Sequence, residues 1–589
     1  METKSIKINV PVLARVEGEG ALDLAIDNNQ ITDLKLRIYE PPRYFEKFLE
    51  GRNYYDVPDM VARICGICPV AYQMSATHAI ESVFGTDASP WLRSMRRLFY
   101  CGEWLQSHSL HVHLLAVPDF LGFNSVIEMS AKFGDEVRRG LKLQAIGNDL
   151  VALFGARSVH PVGVKVGGFT RAPDKESVND LLQRVTAAKQ DAVDLVHWLD
   201  SFNFPEDEQD FISVALHHES EYPFNEGRLL SDHGLDIDIS EFENHFREHH
   251  VDHSTALHCL LDGEPYLVGP LARLNLNKQQ LPTEVQSLMQ ELDTQFPSKN
   301  MFHSLVARGI EIYFCLLEAE RLLSGYKVTD KPCMEIKINS GIGYGCTEAP
   351  RGILWHRYEM DKEGCVVKAT IVPPTSQNQP RIEQDLKASL LKFGLDKAKA
   401  EIQLHAEKVI RNYDPCISCA THFLDLKLNR DNVTETDNSK GMTSFKDSKL
   451  FEVLIIGVGS PQANDDLAWQ TIDLLQANKK IKELVSRGLT LLKRDRPGIS
   501  LIQQFEPYQH VIIIDAVKPA KNNLPFVLID SADYFKKLNS LPAYLSSHQA
   551  GVIDSVKLLD SLECVPENMV IFAVSEINDD LVGTIIDLF

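Results

Sequence analysis

Two cysteine couplets constrain this chain more than any other feature. The first stands in Arg63-Ile64-Cys65-Gly66-Ile67-Cys68, the second in Asp414-Pro415-Cys416-Ile417-Ser418-Cys419-Ala420-Thr421-His422. A Cys-x-x-Cys spacing turns two sulfurs to the same side of a turn or helix start, where both can bind one metal centre as thiolates. Two couplets supply four, so a fold that uses them together must bring residues 65–68 and 416–419 into contact. The commonest use of four thiolates is a structural zinc site with closed tetrahedral ligation. Such a site has no need of neighbouring acids, an arginine or a downstream histidine, and all of these accompany the couplets here.

At 589 residues the chain is too long for one compact core, and two or more domains are expected. Its net charge of -22 argues against nucleic acid or an anionic membrane surface as partner, because both reward a basic face. The eleven cysteines stand singly apart from the couplets, and an odd count fits a reducing compartment better than a disulfide framework. Residues Met1 to Lys7 lead into a strand-like run without an apolar leader core or twin arginines. No apolar stretch reaches the ~18 residues that would span a bilayer. A cytoplasmic protein without a membrane span is the expectation.

Along the chain, alternation over residues 6–39 predicts short strands broken at Gly18 to Gly20 and at Asp27 to Asn29. Glu40-Pro41-Pro42-Arg43-Tyr44-Phe45-Glu46 starts a helical turn that Gly51 closes. Pro69 to Ile80 reads as a buried helix with proline in its first turn, which puts the first couplet at a helix N-terminus, where backbone N–H groups favour thiolate. Residues 90–117 predict one long apolar-periodic helix, and its His108, His111 and His113 read as packed residues held by hydrogen bonds. Further helices are expected over 177–201, 283–294 and 302–325, while His217, His218, His249, His250 and His253 read as surface or packing residues. Gly345 to Gly352 reads as a rigid turn that aims Arg351 inward, and Val372 to Asn378 as a loop. Cys346 and Cys365 read as packing cysteines.

The segments around the couplets resemble the two signature motifs of the large, catalytic subunit of nickel-iron hydrogenases, over about residues 8 to 428. That resemblance implies a mainly helical large-subunit fold around nickel and iron, with CO and cyanide on the iron. It implies Cys65 and Cys416 as terminal nickel ligands, Cys68 and Cys419 as bridges between the two metals. Arg15-Val16-Glu17-Gly18 looks like the motif whose glutamate, Glu17, receives a proton released when H2 is split, by way of the Cys416 thiolate or Arg351. The residue after it, commonly histidine, is Glu19 here. Glu46 and His422 would hold magnesium, and Asp119 matches an aspartate in the canopy over the metals. Pro350 and Arg351 match the family's arginine motif above the site, whose fork can polarise H2 and hydrogen-bond a cyanide. Thr375 belongs to the loop whose hydroxyl meets a second cyanide.

In many members a histidine stands four residues after Cys68, but here Tyr72 does, with His78 as a possible substitute. That departure is similar to the cytoplasmic, multi-subunit branch that exchanges electrons with NAD(P) and in some members reduces sulfur. No further cysteine cluster is present for an iron-sulfur relay. The resemblance therefore implies a small iron-sulfur subunit, flavin and NAD(P) diaphorase subunits beyond it, and accessory proteins for nickel insertion.

Residues 429–449 are polar and read as a linker. From residue 450 to 589 a second domain is expected: Leu454-Ile455-Ile456-Gly457-Val458-Gly459 and Val511-Ile512-Ile513-Ile514-Asp515 predict buried strands of a small α/β sheet. The pattern is similar to the hydrogenase maturation endopeptidases, which remove a C-terminal extension after nickel insertion. By that resemblance Asp466, Asp515 and His548 would sense nickel, and Leu467 departs from the usual glycine. Two rival readings differ in class. A quinone-site subunit like that of respiratory complex I shares the ancestry but lacks the thiolates, and a zinc-stabilised scaffold would hold zinc alone.

Overall fold

The computed structural model describes residues 5–421 and, further along, 453–459, 467–495, 505, 508–516, 526–530, 568–574 and 579–587. His422, Asp466, His548 and the linker 429–449 lie outside the described residues. The chain divides into two compact units, one carrying both couplets and the other the segments from 453 onward.

In the first unit, strands Ser5–Val10, Gly20–Asp27 and Gln30–Ile38 form an antiparallel sheet in chain order, as the alternation predicts. Asn28 and Asn29 both take positive φ (50° and 60°), the two-residue turn whose twist matches its flanking strands. Helix Pro69–Phe84 is buried on nearly every face. Proline at its first position has no N–H to leave unpaired, and Gly85 closes it in the left-handed conformation. The predicted helix over 90–117 is more interrupted: Pro90–Leu110 is α-helical, His111–Ala116 widens into a π-turn, and Val117–Leu121 resumes the α form. Pro118 supplies the reason, because its ring excludes the carbonyl four residues before it and it has no N–H to give.

Helix Pro69–Phe84 packs on an antiparallel meander, Gly341–Ala349, Gly352–Met360 and Val366–Val372. The approach is close: a Cβ at Gly345 would collide with the Ser75 carbonyl oxygen, and one at Gly343 with that of Ala79. The Ser75 hydroxyl then joins the Thr347 hydroxyl at 2.7 Å and the Leu354 carbonyl at 3.0 Å. The expected rigid turn over 345–352 is thus mostly strand, and only Pro350 and Arg351 form the turn, since Ala349 pairs with Gly352. The expected loop at 372–378 is likewise the end of a strand and the start of helix Pro374–Phe393, which Pro374 opens at its first turn. The predicted helix over 177–201 is two helices, Lys175–Ala187 and Lys189–Asp200, parted at Ala188. With several small sheets among its helices, this unit holds more strand than a mainly helical reading implies.

The second unit is built on a five-stranded sheet ordered Thr490–Asp495, Val453–Gly459, His510–Ala516, Asn568–Val574 and Phe526–Asp530. Its first four strands run parallel and the last is an antiparallel edge. Val453, Ile455, Ile472, Ile512, Ile514, Phe572 and Leu581 pack into one core. The unbroken apolar run 511–514 is what a strand buried on both faces requires.

Because helix Pro69–Phe84 seats the first couplet, its contact with the meander is a stability determinant. Gly345→Ala is expected to destabilise the first unit by about 1–3 kcal/mol through overpacking, read as a lower denaturation midpoint in urea. Val367→Ala, at an exposed meander position, is the control and should shift the midpoint little.

Candidate metal centre

The four couplet cysteines meet in the interior. Their sulfurs all lie within 4.8 Å of one another. Cys65 stands 3.4 Å from Cys416, Cys68 stands 3.6 Å from Cys419, and Cys416 and Cys419 are 2.6 Å apart. Each couplet has one cysteine at a helix N-cap: Cys68, the second of its couplet, precedes Pro69–Phe84, and Cys416, the first of its couplet, precedes the short turn Ile417–Ala420. The backbone N–H groups of Ile67 and Cys68 donate to the Cys65 sulfur at 3.3 Å. Burial, together with the neighbouring sulfurs, pushes the thiols of Cys68, Cys416 and Cys419 up. Thiols crowded away from water resist ionisation, so the use of Cys68, Cys416 and Cys419 as thiolates calls for metal cations among them. Soft donors at this spacing suit nickel, iron or zinc.

The walls of the site distinguish among these. Arg351, at the hairpin tip, donates to the Asp414 carboxylate at 2.9 Å and to the Asp414 carbonyl at 2.7 Å. Burial opposes its charge, but Asp414 and the sulfurs of Cys416, Cys68 and Cys65 outweigh that and hold it protonated. A fixed guanidinium beside thiolates has no purpose in a closed structural site. Helix Pro90–Leu110 brings three further side chains from positions i, i+3 and i+4, which share one helix face. Glu103 accepts from the Val70 and Ala71 N–H groups at 2.6 and 3.2 Å, Gln106 donates to the Ile67 carbonyl at 3.1 Å, and the Ser107 hydroxyl lies 3.4 Å from Arg351. The N-terminal end of helix Pro69–Phe84 therefore meets a carboxyl group as well as a sulfur. Burial pushes the Glu103 carboxyl well above its ordinary range, and nearby Cys65 adds to this. Sequence alone could not reveal Glu103, one of several polar residues that this helix buries.

Glu17 is 1 % exposed and lies across the second couplet. Its backbone bridges Cys416, its carbonyl accepts from Ile417 at 3.0 Å, and its carboxylate accepts from the Ser418 N–H at 3.0 Å. Gly18 permits this, because a Cβ there would stand 2.7 Å from both Glu40 Oε2 and Ile417 Cβ, and its φ is +87°. A second acid, missed in the sequence, continues outward: Glu40 accepts from the Ser418 hydroxyl at 3.0 Å and from the Glu19 N–H at 3.4 Å. Burial, with Glu17 adding, raises the Glu40 carboxyl above its usual range. Its side chain retains 16 % exposure.

Other expected residues fall as follows. The Cys416 N–H donates to the Thr375 hydroxyl oxygen at 3.0 Å, so Thr375 adjoins the cluster from the first turn of its helix. Pro350 precedes Arg351 in the hairpin turn, and its carbonyl accepts from Arg273 at 2.9 Å. Glu46 accepts from the Ile371 N–H at 2.7 Å, and the Arg43 N–H donates to the Thr421 carbonyl at 2.8 Å, the last described residue before His422. Asp119 is buried in a different ion pair: it holds Arg15 and Arg411, the latter at 2.7 Å, while the acid bound to Arg351 is Asp414. Tyr72 faces the sulfurs, and burial, then Cys419, Cys68 and Cys416, push its hydroxyl well up. His78 does not substitute for it, since the side chains charged around it are Arg96, Glu81 and Glu226. His108, His111 and His113 bond Glu311, the Arg411 carbonyl and the Ser109 carbonyl respectively, at 2.8, 2.8 and 3.0 Å. Asp515 stands one residue before the end of strand His510–Ala516 in the second unit.

A hydrogenase-like large subunit is the class that this fold and site define, and known proteins agree. The family model of nickel-dependent hydrogenases matches residues 43–139 and 242–422. Sulfhydrogenase 2 subunit alpha of Pyrococcus furiosus is 31% identical over 421 residues, covering 71% of this chain and 100% of that protein. The NAD-reducing hydrogenase HoxS subunit beta of Cupriavidus necator is 28% identical over 472 residues, covering 71% and 95%. A crystal structure of an NAD+-reducing [NiFe]-hydrogenase in the H2-reduced state superposes with a TM-score of 0.66 at 26% identity, covering 71% of this chain and 99% of that one. The chain belongs to the nickel-dependent hydrogenase family.

Glu103 seats the first couplet by occupying two buried donors. Glu103→Ala is expected to cost about 1–3 kcal/mol of stability through the unpaired N–H groups and to lower metal occupancy of the centre. Glu103→Gln keeps an acceptor and should recover most of both, as read by denaturation midpoint and metal content.

Proposed function

We propose that this chain is the catalytic subunit of a nickel-iron hydrogenase that splits H2 heterolytically and reversibly. The observation that carries the reading is a buried cluster of four sulfurs within 4.8 Å of one another, with the Arg351 guanidinium and the Glu17 carboxyl group both held against the second couplet. When bound, a nickel-iron centre carrying CO and cyanide supplies the cleavage of H2. Cys65, Cys68, Cys416 and Cys419 would hold that centre through their four sulfurs.

The protein's own residues position and protonate. Arg351, fixed by Asp414, keeps one permanent positive charge beside the sulfurs, where it stabilises negative charge as it develops. Thr375 accepts from the Cys416 N–H, which leaves its hydroxyl hydrogen free to donate towards a cyanide, and Pro350 holds the turn that aims Arg351. Asp119 fixes Arg15, two residues before Glu17, and so acts as a positioning residue. Glu17 takes the proton from the Cys416 side of the site. Ser418 and Glu40 then form the next steps outward, from a carboxyl that is wholly buried to one partly in contact with water. Glu46 and His422 are assigned to magnesium; the Glu46 carboxylate near the meander and the Thr421 bond beside it support that pairing.

Electrons must leave by another route, since the described residues hold no second cysteine cluster. A small iron-sulfur subunit receives them, with flavin and NAD(P) diaphorase subunits beyond, as the NAD-reducing relative suggests. The described residues contain no helix long and apolar enough to cross a membrane, and a cytoplasmic location is the reading adopted. A centre this deeply buried also requires accessory proteins to insert nickel before the second couplet closes over it.

For the second unit we infer a maturation-endopeptidase-like role, with residues 1–428 as the hydrogenase domain, 429–449 as linker and 450–589 as the processing domain. Asp515 supports it by its position: the chain leaves strand Val453–Gly459 first to one side and then to the other. Ligands of open α/β sheets bind at the carboxyl ends of strands beside such a reversal. Asp466 and His548 complete the assigned nickel-sensing set.

H2-dependent reduction of a viologen dye tests the main reading. Wild-type enzyme loaded with both metals should be active, and Glu17→Gln should lose about 10²–10⁴-fold in rate with nickel and iron content unchanged. Glu40→Gln should be impaired less severely. Full activity in Glu17→Gln would refute the proton route, and metal-loaded wild type without H2 turnover would refute the function. Intact mass before and after nickel loading tests processing: a shorter chain is expected, whereas full-length active protein would exclude it.

A further inference from the structure

Four histidines crowd one hairpin, and the function above uses none of them. Strands Phe246–His249 and His258–Leu261 pair antiparallel, and the connection between them turns His253 back against His258, with ring centroids 5.8 Å apart and planes at 86°. His253 Nε2 lies 2.8 Å from Glu383 Oε1, on helix Pro374–Phe393. One ligand atom each from His253, His258 and Glu383 falls within 4.8 Å of the other two. His258 is 3 % exposed, and its Nε2 is buried without a hydrogen-bond partner. Burial, with His253, His249 and His250 adding, pushes this imidazole down to about 3, so it presents a lone pair and no charge.

We propose that His253, His258 and Glu383 form a second metal site, a clasp for a divalent zinc ion. Two neutral imidazoles and a carboxylate are a nitrogen–nitrogen–oxygen set that zinc accepts, with a fourth position left for water. His249 is near enough to compete for that position, its ring 5.8 Å from that of His258. Ligand atoms around a tetrahedral zinc stand about 3.3 Å apart, from zinc–ligand bonds of about 2.0–2.2 Å; His253 and Glu383, at 2.8 Å, need only part slightly to admit the ion, and His258 lies within 4.8 Å of both. His253 and Glu383 can part in this way, because their side chains keep 21% and 20% exposure. Glu383 is already oriented: the Leu36 N–H donates to its Oε1 at 2.8 Å, the kind of outer bond that fixes a ligating carboxylate.

Such an ion would tie together three parts of the fold that reach the hydrogenase centre by different routes. Helix Pro374–Phe393 begins at Thr375's turn against Cys416. Leu36 belongs to the strand that leads to Glu40, and Thr255 of the histidine connection donates its N–H to Ile38 and its hydroxyl to the Glu40 carbonyl, both at 2.8 Å. The clasp would therefore be structural, holding the outer part of the proton route in place.

Equilibrium dialysis of the full-length protein against Zn2+, with metal content by mass spectrometry, tests the site. Wild type is expected to bind one more zinc per chain than either His258→Ala or Glu383→Gln. The second variant keeps an acceptor for the Leu36 N–H, so its loss of zinc would reflect the missing charge and not a disturbed fold. Cobalt substitution separates this site from the cysteine cluster: Co2+ on His253, His258 and Glu383 gives weak visible bands without the sulfur-to-metal charge transfer of a thiolate site. Those bands should vanish in Glu383→Gln and persist in Cys65→Ser. Equal zinc content in wild type and both variants, or cobalt spectra of thiolate type alone, would overturn the proposal and leave a hydrogen-bonded packing cluster.

Discussion

Four sulfurs held close together and away from water form an arrangement that cannot carry its charge alone. Each thiolate added to the cluster raises the cost of the next, and burial removes the solvent that would soften the repulsion. The rest of the first unit can be understood as the counterpart to that cost. Two amide groups point at Cys65, Arg351 supplies one permanent positive charge, and metal cations would supply the remainder. The distant couplets meet because helix Pro69–Phe84 is locked to the meander by glycine contacts, while Glu17 pairs its backbone with Cys416 and so draws the second couplet onto the amino-terminal sheet.

Acids and bases around the centre are sorted by role through their partners. Asp414 is committed to Arg351, Asp119 to Arg15 and Arg411, and Glu103 to backbone donors, so each of these is spent on position. Glu17 and Glu40 are different, since Ser418 lies between them and offers its N–H to one and its hydroxyl to the other. A proton path needs such a gradient, from a carboxyl sealed in the interior to one near solvent. In the proposed function, Arg351 holds positive charge beside the sulfurs and this pair of acids carries the proton outward.

Much of this was legible before any coordinates. The couplets were legible from their spacing, Glu17, Arg351 and Thr375 from short runs that resemble the family's motifs, and the structure brings all of them to one place. Asp414 lay within the second couplet's motif, yet its partner is an arginine on a separate hairpin, and pairing through space leaves no local trace. Asp119 shows the same limit: with several buried arginines available, position along the chain could not say which of them it would meet. Glu103 and Glu40 were hidden because a single acid on a helix or beside prolines has the same local pattern whether it is exposed or buried. His249, His250 and His253 read as surface or packing residues and His258 went unread, since the acid that faces His253 is supplied by a helix more than a hundred residues later.

The central claim is that these cysteines bind nickel and iron together, and the most direct measurement is nickel-edge X-ray absorption on the purified protein with its metal content counted alongside. The account predicts nickel and iron in equal amounts, nickel bound chiefly by sulfur with iron as a near neighbour, and loss of that signature in Cys416→Ser. Zinc alone in the cluster, or nickel surrounded by nitrogen and oxygen, would contradict it.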